Sequence, residues 1–444
     1  MKNLNLFIAL FGLLQILNAQ NPISPEGVFI ADPAGHTWKD GKLYIYGSLD
    51  ESPNYFCSTN HHVLSTSDLL TWTLHKNVFA SKGPNDQVSY NDQILYAPDC
   101  HYRDGKYYLY YCQPDTAAEG VAVSESPTGP FVKGERMLLK GKNEIDPGAF
   151  TDDDGTSYYV WGQFGMKMAK LKPNMKQIDE SSIVENVITE KEHFFHEGAH
   201  MVKRNGIYYL IYAHQGRKNM PSCIGYAMSK SPMGPYKYGG VIIDNDGCDP
   251  NNWNNHGSIV EFQKKWYVLY HRTTNGAISM RKACIEPITF NSDGTINEVE
   301  MTSQGAGAPL SAFQTIEARR AALLFGTSKV IMDYKLNEVV GDISVSDKMV
   351  FKYIDFGKGA DSLIIKVKLG KLEGGFNIHL DQPWGPWKGY VHFPPATNTD
   401  RWETLKTKIQ PITGVHAVWF KFYGKNVSEP FFQIDEFVFV PKTK

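Results

Sequence analysis

Runs of aromatic and aliphatic residues recur along the first two thirds of the chain, each directly after a tight polar turn. Four runs follow Asp-Gly or Asn-Gly, and a fifth has lysines where the glycine would stand, in residues 40–46, 104–110, 154–161, 205–212 and 263–270. Asp-Gly and Asn-Gly between strand-forming residues are strong hairpin signals because both residues tolerate positive φ. Hairpins at intervals of roughly 50 to 64 residues suit four-stranded blades, so residues 22–303 are predicted to form a five-bladed β-propeller.

The hydrophobic pattern changes after this region. Small residues dominate positions 304–310, which predicts a linker. Beyond it, apolar and polar residues alternate in short runs, as in 363–369, 375–380 and 415–422. Period-two alternation in short strands predicts a β-sandwich of the jelly-roll kind over residues 311–444. The predicted fold class is therefore all-β.

The N-terminus has the pattern of a secretory signal peptide. Lys2 provides the positive charge, residues 6–17 form an apolar core, and Ala19 is a small residue for cleavage. The apolar stretch is short for a membrane span, which requires about 20 residues. Residues 1–20 are therefore predicted to direct export, so that the protein is secreted or periplasmic.

Composition and charge narrow the classes of partner. The formal net charge is only -2, and no run of Lys or Arg forms the basic surface that nucleic acid requires. No other segment is long and apolar enough to indicate a membrane protein, and a monomer is expected. The 24 Tyr, 24 Phe and 9 Trp residues suit both β-sheets and the stacking faces of a sugar-binding site.

Six cysteines are spread along the chain without the paired spacing of a metal site. They are Cys57, Cys100, Cys112, Cys223, Cys248 and Cys284. One or two disulfides after export and free buried thiols are equally compatible with this pattern.

Acidic residues precede three of the predicted hairpins at the same offset. Asp32, Asp146 and Glu197 each stand nine residues before the turn glycine of their own hairpin. The same offset falls on Tyr96 in the second blade and on Asn255 or His256 in the fifth. Because the innermost strands of all blades surround one channel, matching offsets place these side chains together at the channel mouth.

A cluster of three carboxyl groups matches the requirements of glycosidic cleavage. One carboxyl group protonates the leaving oxygen, and a second activates water or attacks. A third raises the pKa of the acid by like-charge repulsion. An isolated Asp before Pro is usually a turn residue, but three acids in one repeat register are much harder to explain as turns.

The motifs around these acids resemble glycoside hydrolase family 43, whose members are five-bladed propellers that invert the anomeric carbon. The matching motifs are Ala31-Asp32-Pro33, Ala97-Pro98-Asp99, Ile145-Asp146-Pro147 with residues 150–155, and His196-Glu197-Gly198 with residues 199–210. The resemblance implies that Asp32 is the general base, Glu197 the general acid and Asp146 the pKa modulator. In inverting enzymes the acid and base stand ~6.5–9.5 Å apart, and this separation is predicted here.

The same resemblance suggests further site residues. His256 corresponds to an axial histidine that many relatives direct at a central calcium through water, and a structural histidine is the alternative. Arg281 resembles an arginine near the sugar hydroxyls. Aromatic and polar residues expected to line the pocket are Trp38, Tyr96, Phe164 and His200. The chemistry itself requires no cofactor, and a structural calcium is the one candidate ion.

The C-terminal domain resembles carbohydrate-binding module family 6. The matching segments are 316–318, 354–357, 374–381, 413–416 and 434–437. Arg319 stands where the family has a second acid, which weakens the prediction of a calcium held by Glu317 and Asp435. The candidate stacking residues are Trp384, Trp387 and Trp402. The domain is expected either to bind sugar or to support the propeller.

The predicted substrate is a polysaccharide or oligosaccharide of plant or other complex origin. The resemblance favours α-L-arabinofuranosidase or β-xylosidase activity in xylan or arabinan degradation. β-Galactofuranosidase and endo-arabinanase or xylanase are the alternatives. A non-catalytic carbohydrate-binding protein is the rival from another class, and the three intact acids argue against it. A fructosidase is set aside because its Asn-Asp-Pro-Asn and Arg-Asp-Pro motifs are absent.

Overall fold

The computed structural model of the chain describes residues 20–114, 119–139, 142, 144–333, 337–425 and 430–442. The predicted signal peptide, apart from Gln20, lies outside the described residues. Among the residues described, no helix has the length and hydrophobicity needed to cross a membrane. The helices are short: α1 spans Glu190–His193, and single 3-10 turns span Glu180–Ser182 and Ala318–Arg320.

Five antiparallel sheets form the N-terminal domain, and the strands of each sheet pair in chain order. The first two blades comprise β1 (Phe29–Thr37), β2 (Leu43–Asp50), β3 (Asn60–Thr66) and β4 (Thr73–Ala80), then β5 (Tyr96–Arg103), β6 (Lys106–Cys112), β7 (Glu119–Ser124) and β8 (Val132–Arg136). The third comprises β9 (Gly148–Thr151), β10 (Ser157–Trp161) and β11 (Lys167–Lys170). The last two comprise β12 (Phe195–Arg204), β13 (Ile207–His214), β14 (Cys223–Ser229) and β15 (Lys237–Asp244), then β16 (Ser258–Phe262), β17 (Lys265–Thr274) and β18 (Ala277–Ile288). The predicted propeller is confirmed.

Each aromatic run becomes the second strand of its blade and supplies the core between blades. Large side chains of these strands, such as Tyr159 and Tyr270, are fully buried. The turns before them have positive φ, with Gly41 at 75° and Gly206 at 74°. The fifth turn keeps this geometry without glycine, since Lys264 has a φ of 63°.

The residues before β1 close the ring of blades. The Ile23 amide donates to the Ala283 carbonyl at 2.9 Å, and the Asn21 amide donates to the Ser303 carbonyl at 3.0 Å. The Ile285 amide donates to Asn21 Oδ1 at 2.9 Å. The start of the described chain is thereby tied to the last strand of the last blade.

The C-terminal domain consists of two six-stranded sheets packed around a core rich in phenylalanine. One sheet contains β19 (Leu310–Ser311), β21 (Leu323–Phe325), β24 (Lys348–Asp355), β26 (Gly374–Leu380), β27 (Trp387–Phe393) and β29 (Val415–Gly424). The other contains β20 (Ile316–Glu317), β22 (Lys329–Met332), β23 (Glu338–Gly341), β25 (Ala360–Leu369), β28 (Trp402–Ile412) and β30 (Phe432–Pro441). The predicted sandwich is confirmed, and Leu310, assigned to the linker by sequence, already lies in a sandwich strand.

A buried ion pair joins the two domains. Lys282 Nζ of the fifth blade lies 2.7 Å from Glu338 Oε1 of the sandwich, and both side chains are almost fully buried. Burial lowers the pKa of Lys282 to about 8, against the raising effect of the Glu338 charge. The guanidinium of Arg272 also donates to the Ala321 carbonyl at 3.1 Å. The sandwich is therefore held directly against the propeller.

We expect Lys282→Met to destabilise the protein by about 3–5 kcal/mol, because it leaves the Glu338 carboxylate buried without its closest partner. Chemical denaturation at mildly acidic pH, where Lys282 is charged, measures this change. Lys408→Met is the control, since it removes an ion pair whose lysine is 76% exposed, and such pairs contribute about 0–1 kcal/mol. The double variant Lys282→Met with Glu338→Leu should regain part of the loss. Equal stability of Lys282→Met and the unaltered protein would contradict the prediction.

Candidate active site

Irregularities in the innermost strands turn the predicted site residues toward the channel mouth. The pairing register shifts in β1 between Ala31 and Ala34, on either side of Asp32, and in β12 around Glu197. Such bulges redirect side chains and are common beside active sites. Asp32 and Asp146 also have positive φ, 51° and 60°, which is uncommon for residues other than glycine. The backbone therefore departs from regular strand geometry at all three acids.

The three acids line one cavity of about 380 Å³. Tyr96 lies at the matching offset in the second blade and lines the same cavity, and of the two fifth-blade candidates, Asn255 and His256, it is His256 that does so. The sequence register therefore brings five positions of five blades to one pocket. The remaining lining residues are Phe56, Cys57, Ala97, Ile145, Gln163, Phe164, His196, Trp253, Asn254 and Arg281.

Asp32 is buried among groups that stabilise its charge. Its Oδ1 accepts a hydrogen bond from Arg281 Nη1 at 2.9 Å, and its Oδ2 accepts one from Ser48 Oγ at 2.6 Å. The imidazoles of His256 and His271 lie 3.5 and 3.4 Å from Oδ1. Burial raises the pKa of Asp32, but Arg281 and the two histidines hold it well below the ordinary value. Asp32 is therefore a carboxylate at neutral pH.

A second carboxylate holds Arg281 in place. Asp50 accepts from Arg281 Nε and Nη2, each at 2.9 Å, while Nη1 remains directed at Asp32. Bidentate contacts of this kind fix the plane of a guanidinium. The sequence assigned Arg281 to the sugar hydroxyls, and the structure gives it two carboxylate partners at the pocket wall.

The pKa of Asp146 is shifted in the opposite direction from that of Asp32. Burial raises its pKa to about 8; His256 opposes this rise, and the charges of Glu197 and Asp32 add to it. Its amide donates to Cys112 Sγ at 3.3 Å. Asp146 therefore holds a proton at neutral pH in the free protein.

Glu197 has a partner that the sequence did not reveal. Gln163 Nε2 donates to Glu197 Oε2 at 2.8 Å, and His196 Nε2 lies 3.8 Å from the same oxygen. Gln163 follows the aromatic strand of the third blade, and His196 directly precedes Glu197. Neither stands at the nine-residue spacing before a hairpin turn, so the repeat did not identify them. The two contacts orient the carboxyl group at the pocket wall.

His256 lies beneath the pocket against Gly198. A Cβ on residue 198, which has a φ of +70°, would stand 2.5 Å from His256 Nε2, so this position requires glycine. Burial lowers the pKa of His256, but its contact with Asp32 and the charges of Asp146, Asp32 and Glu197 raise it to about 9. The imidazole is therefore cationic at neutral pH.

The cavity next to His256 leaves little room for the water-mediated calcium predicted there. The cavity beneath the pocket that His256 helps to line has a volume of only about 20 Å³, which is room for about one water. Calcium takes ~6–8 oxygen ligands, and a cationic imidazole repels it. The water-mediated calcium at His256 therefore stays a prediction, for which this cavity leaves little room.

Two predicted pocket residues lie elsewhere. Trp38 packs against His36 in a stacked arrangement, with ring centroids 4.8 Å apart, and donates to Tyr46 Oη at 3.2 Å. His200 is buried deeper in the channel, beside Asp99 rather than in the pocket. Both predictions are wrong, because Trp38 follows the end of β1 and His200 lies beyond Glu197 in β12.

Aromatic residues at the pocket rim come partly from loops. Phe164 and Trp253 are 51% and 43% exposed, and Tyr96 and Phe56 lie beside them in the pocket lining. The sequence predicted Phe164 and Tyr96 and missed Trp253 and Phe56, which lie between strands. Trp253 has a weak signal, since it stands three residues before His256.

The candidate stacking residues of the second domain divide between its two sheets. Trp384 and Trp387 lie next to and in β27, with exposures of 77% and 43%, and Tyr390 of the same strand is 57% exposed. Trp402 begins β28 in the other sheet and donates to Asp333 Oδ2 at 3.4 Å. The three tryptophans therefore do not form one platform.

The calcium candidates of the second domain are paired with basic side chains. Glu317 Oε2 lies 2.7 Å from Arg319 Nη2, and Asp435 Oδ2 lies 2.6 Å from Lys366 Nζ. Cationic side chains therefore occupy the surroundings that a calcium would require, and Glu317 and Asp435 do not fit a calcium site. All six cysteines are buried and free, which favours the thiol alternative.

Comparison with known proteins agrees with this geometry. Residues 19–296 match glycosyl hydrolases family 43, and residues 327–441 match carbohydrate binding module family 6. A xylosidase/arabinosidase of Thermoclostridium stercorarium is 30% identical over 91% of this chain and 96% of its own length.

Solved structures give the same assignment. A family 43 arabinoxylan arabinofuranohydrolase from Bacillus subtilis, in complex with cellotetraose, aligns with a TM-score of 0.56 at 27% identity, covering 96% of this chain and 98% of that chain. A family 43 β-xylosidase/α-arabinofuranosidase from a compost metagenome, in complex with xylotriose and calcium-free, aligns with a TM-score of 0.53 at 31% identity, covering 62% and 96%. With its propeller, its three converging acids and a family match over most of its length, this chain belongs to glycosyl hydrolases family 43 and carries a family 6 carbohydrate binding module.

Proposed function

We propose that this glycoside hydrolase removes α-L-arabinofuranosyl or β-xylosyl residues from xylan-type polysaccharides with inversion at the anomeric carbon. The observation that carries the proposal is the convergence of Asp32, Asp146 and Glu197 from three blades on one cavity of about 380 Å³. The relatives named xylosidase/arabinosidase and arabinoxylan arabinofuranohydrolase support the choice of sugar.

Asp32 is the proposed general base. The base must be ionised to accept a proton from water, and Arg281, Ser48 and the neighbouring histidines favour that form. As the water oxygen bonds to the anomeric carbon, its proton passes to Asp32. The carboxylate is thus prepared before substrate arrives, which avoids reorganisation during the reaction.

Glu197 is the proposed general acid. Its proton passes to the glycosidic oxygen as the bond to the anomeric carbon breaks, so the aglycone leaves as a neutral alcohol. Gln163 orients the carboxyl group through its 2.8 Å hydrogen bond. Both proton transfers use side chains of this chain alone, so the proposed chemistry requires no cofactor.

Asp146 is the proposed modulator of that acid. Two nearby carboxyl groups oppose each other's ionisation, and the charge of Glu197 contributes to the raised pKa of Asp146. Asp146 therefore holds a proton next to Glu197 at neutral pH.

The rim and size of the cavity suit a small sugar group. Its volume of about 380 Å³ lies within the range of small-molecule pockets, ~300–1,000 Å³. Phe164, Trp253, Phe56 and Tyr96 surround it with aromatic surface, which packs against the C–H faces of sugars. Export directed by residues 1–20 is part of this proposal, since the polymer substrate lies outside the cell.

The experiment that tests the function measures sugar release from arabinoxylan, arabinan and galactan and from aryl glycosides. We expect arabinose or xylose as the product from arabinoxylan, formed first as the inverted anomer when followed by NMR. Glu197→Ala and Asp32→Ala should lose activity on polysaccharide by ~10²–10⁴-fold, the usual contribution of a general acid or base. Glu192→Ala, a change at an exposed position of α1, should leave the activity unchanged.

Aryl glycosides distinguish the acid from the base. A good leaving group requires little protonation, so Glu197→Ala should recover much of its activity on such substrates while Asp32→Ala should not. Full activity of Glu197→Ala on polysaccharide would show that the acid is misassigned. Binding of polysaccharide by the unaltered protein without any sugar release would favour the non-catalytic alternative.

The pH profile tests the role of Arg281. In Arg281→Gln, the loss of the guanidinium raises the pKa of Asp32 toward its ordinary value. We expect the acidic limb of kcat/KM to move upward by about 1–3 pH units, because the base is then protonated at higher pH. Ser48→Ala removes one neutral hydrogen bond to the same carboxylate and should move the limb less. An acidic limb that stays in place in Arg281→Gln would rule out Asp32 as the titrating base.

The second domain is proposed to bind polysaccharide through Trp384, Trp387 and Tyr390. In the double variant Trp384→Ala with Trp387→Ala, we expect retention on insoluble arabinoxylan to fall at least tenfold, since each stacked ring contributes through its apolar face. Trp402→Ala, in the opposite sheet, is the matched control and should bind normally. Activity on soluble aryl glycosides should be unchanged in both. Normal retention of the double variant would indicate that the domain only supports the propeller.

A further inference from the structure

A short loop joins the segments that carry two of the three acids. It consists of residues 162–164 and directly follows β10, the aromatic strand of the third blade. On one side, the Gly162 amide donates to the carbonyl of Ile145, one residue before the proposed modulator, at 2.9 Å. On the other side, the Phe164 amide donates to the carbonyl of His196, one residue before the proposed acid, at 2.7 Å. The position of this loop therefore affects both segments.

The side chain of Glu144 holds the middle of this loop. Its Oε2 accepts a hydrogen bond from the Gln163 amide at 2.8 Å, and the side chain of Gln163 in turn donates to Glu197 Oε2 at 2.8 Å. Gly162 leaves the space for this contact, because a Cβ at that position would stand 2.8 Å from Glu144 Oε2. The carboxylate of Glu144 is therefore connected to the proposed general acid through a single residue.

Glu144 is itself fixed to the core of the third blade. Its Oε1 is paired with the ammonium group of Lys167, whose side chain is only 10% exposed. The Glu144 amide donates to Oε1 of the fully buried Glu119 at 3.3 Å, and Glu119 Oε2 accepts from Tyr159 Oη at 2.6 Å. Because Tyr159 is a fully buried residue of β10, these contacts give Glu144 a rigid support.

We propose that Glu144 is a positioning residue for glycosidic cleavage, which acts on Glu197 through Gln163. The inference rests on the proposed role of Glu197 as the general acid. The described residues that line the pocket do not include Glu144, so it contacts neither the sugar nor the reacting atoms. Its carboxylate fixes the backbone of Gln163, and the backbone sets the direction from which the Gln163 side chain reaches Glu197.

The contact between Glu144 and Gln163 matters because Gln163 lies outside the sheet. It stands in a bend between β10 and β11, so local contacts rather than strand pairing determine the path of its backbone. A hydrogen bond from an amide to a carboxylate is roughly twice as strong as one between neutral groups. The general acid must face the glycosidic oxygen as the bond breaks, and a displacement of about 1 Å can cost ~10²-fold in rate. Loosening Gln163 should therefore slow the step that requires the proton.

The test compares a substrate that needs the acid with one that does not. In Glu144→Ala, we expect kcat on soluble arabinoxylan to fall about tenfold, because the acid is displaced. KM should change less than about twofold, because no contact with the sugar is lost. On aryl glycosides with a good leaving group, kcat should also fall less than about twofold, since such a leaving group requires little protonation. A merely structural role of Glu144 would lower the activity on both substrates equally.

Further variants follow the route from Glu144 to the acid. Glu144→Gln keeps an oxygen that accepts from the Gln163 amide, so it should retain most of the activity on arabinoxylan. In the double variant Glu144→Ala with Gln163→Ala, the loss should equal that of Gln163→Ala alone, because Glu144 acts only through the Gln163 side chain. Glu185→Ala is the matched control: it breaks the ion pair with Lys142, two residues before Glu144, and should leave the activity unchanged.

An equal loss on both substrates in Glu144→Ala, or additive losses in the double variant, would overturn the proposal. Should Glu144→Ala fail to fold because Lys167 is left unpaired, Glu144→Leu with Lys167→Met removes both charges, and the same difference between the two substrates decides. Full activity of Glu197→Ala on polysaccharide would refute the proposed function and this inference with it. Loss of that activity in Glu197→Ala, together with full activity in Glu144→Ala, would refute the inference alone.

Discussion

The burial of several acids at one end of the propeller channel is the constraint on which the site depends. Carboxylates removed from water must be paired or must take up a proton. Asp32 is paired, through Arg281, whereas Asp146 responds to the same burial by retaining its proton. On its other side the Arg281 guanidinium donates to Asp50 of the first blade. Asp32, Arg281 and Asp50 thus form a row of alternating charges that extends from the pocket into its wall. Two similar residues thereby acquire opposite protonation states a short distance apart.

The backbone makes this crowding possible. Regular strands would direct alternate side chains into and out of the blade, and the register shifts around Asp32 and Glu197 break that alternation at the channel mouth. Gly198 then leaves space for the His256 ring beneath the acid. The pocket is therefore built by departures from ideal sheet geometry, supported by blades whose aromatic second strands are mostly buried.

The fold and the acids could be predicted from the sequence because each hairpin turn follows the channel-facing residue of its blade by the same number of residues. That distance selected Asp32, Asp146, Glu197 and Tyr96, all of which line one cavity, and in the fifth blade it left the choice between Asn255 and His256, of which His256 lines the cavity. It could not show that Trp38 and His200 lie outside the pocket, because the repeat does not show how far the pocket extends along each strand. Trp253 and Gln163 come from connections whose paths have no periodicity. The pairing of Asp32 with Arg281 could not be predicted either, because it depends on a contact between residues 249 positions apart in the chain.

The hydrogen bonds that close the ring impose an order on the assembly of the domain. Asn21 bonds Ile285, a residue 264 positions later in the chain. Bringing together segments so far apart is slow, because the entropy of a large loop is lost before the contact forms. During synthesis the segment before β1 therefore has no partner until β18 of the fifth blade has been made. The ring of blades can close only after both ends of the propeller sequence have been synthesised.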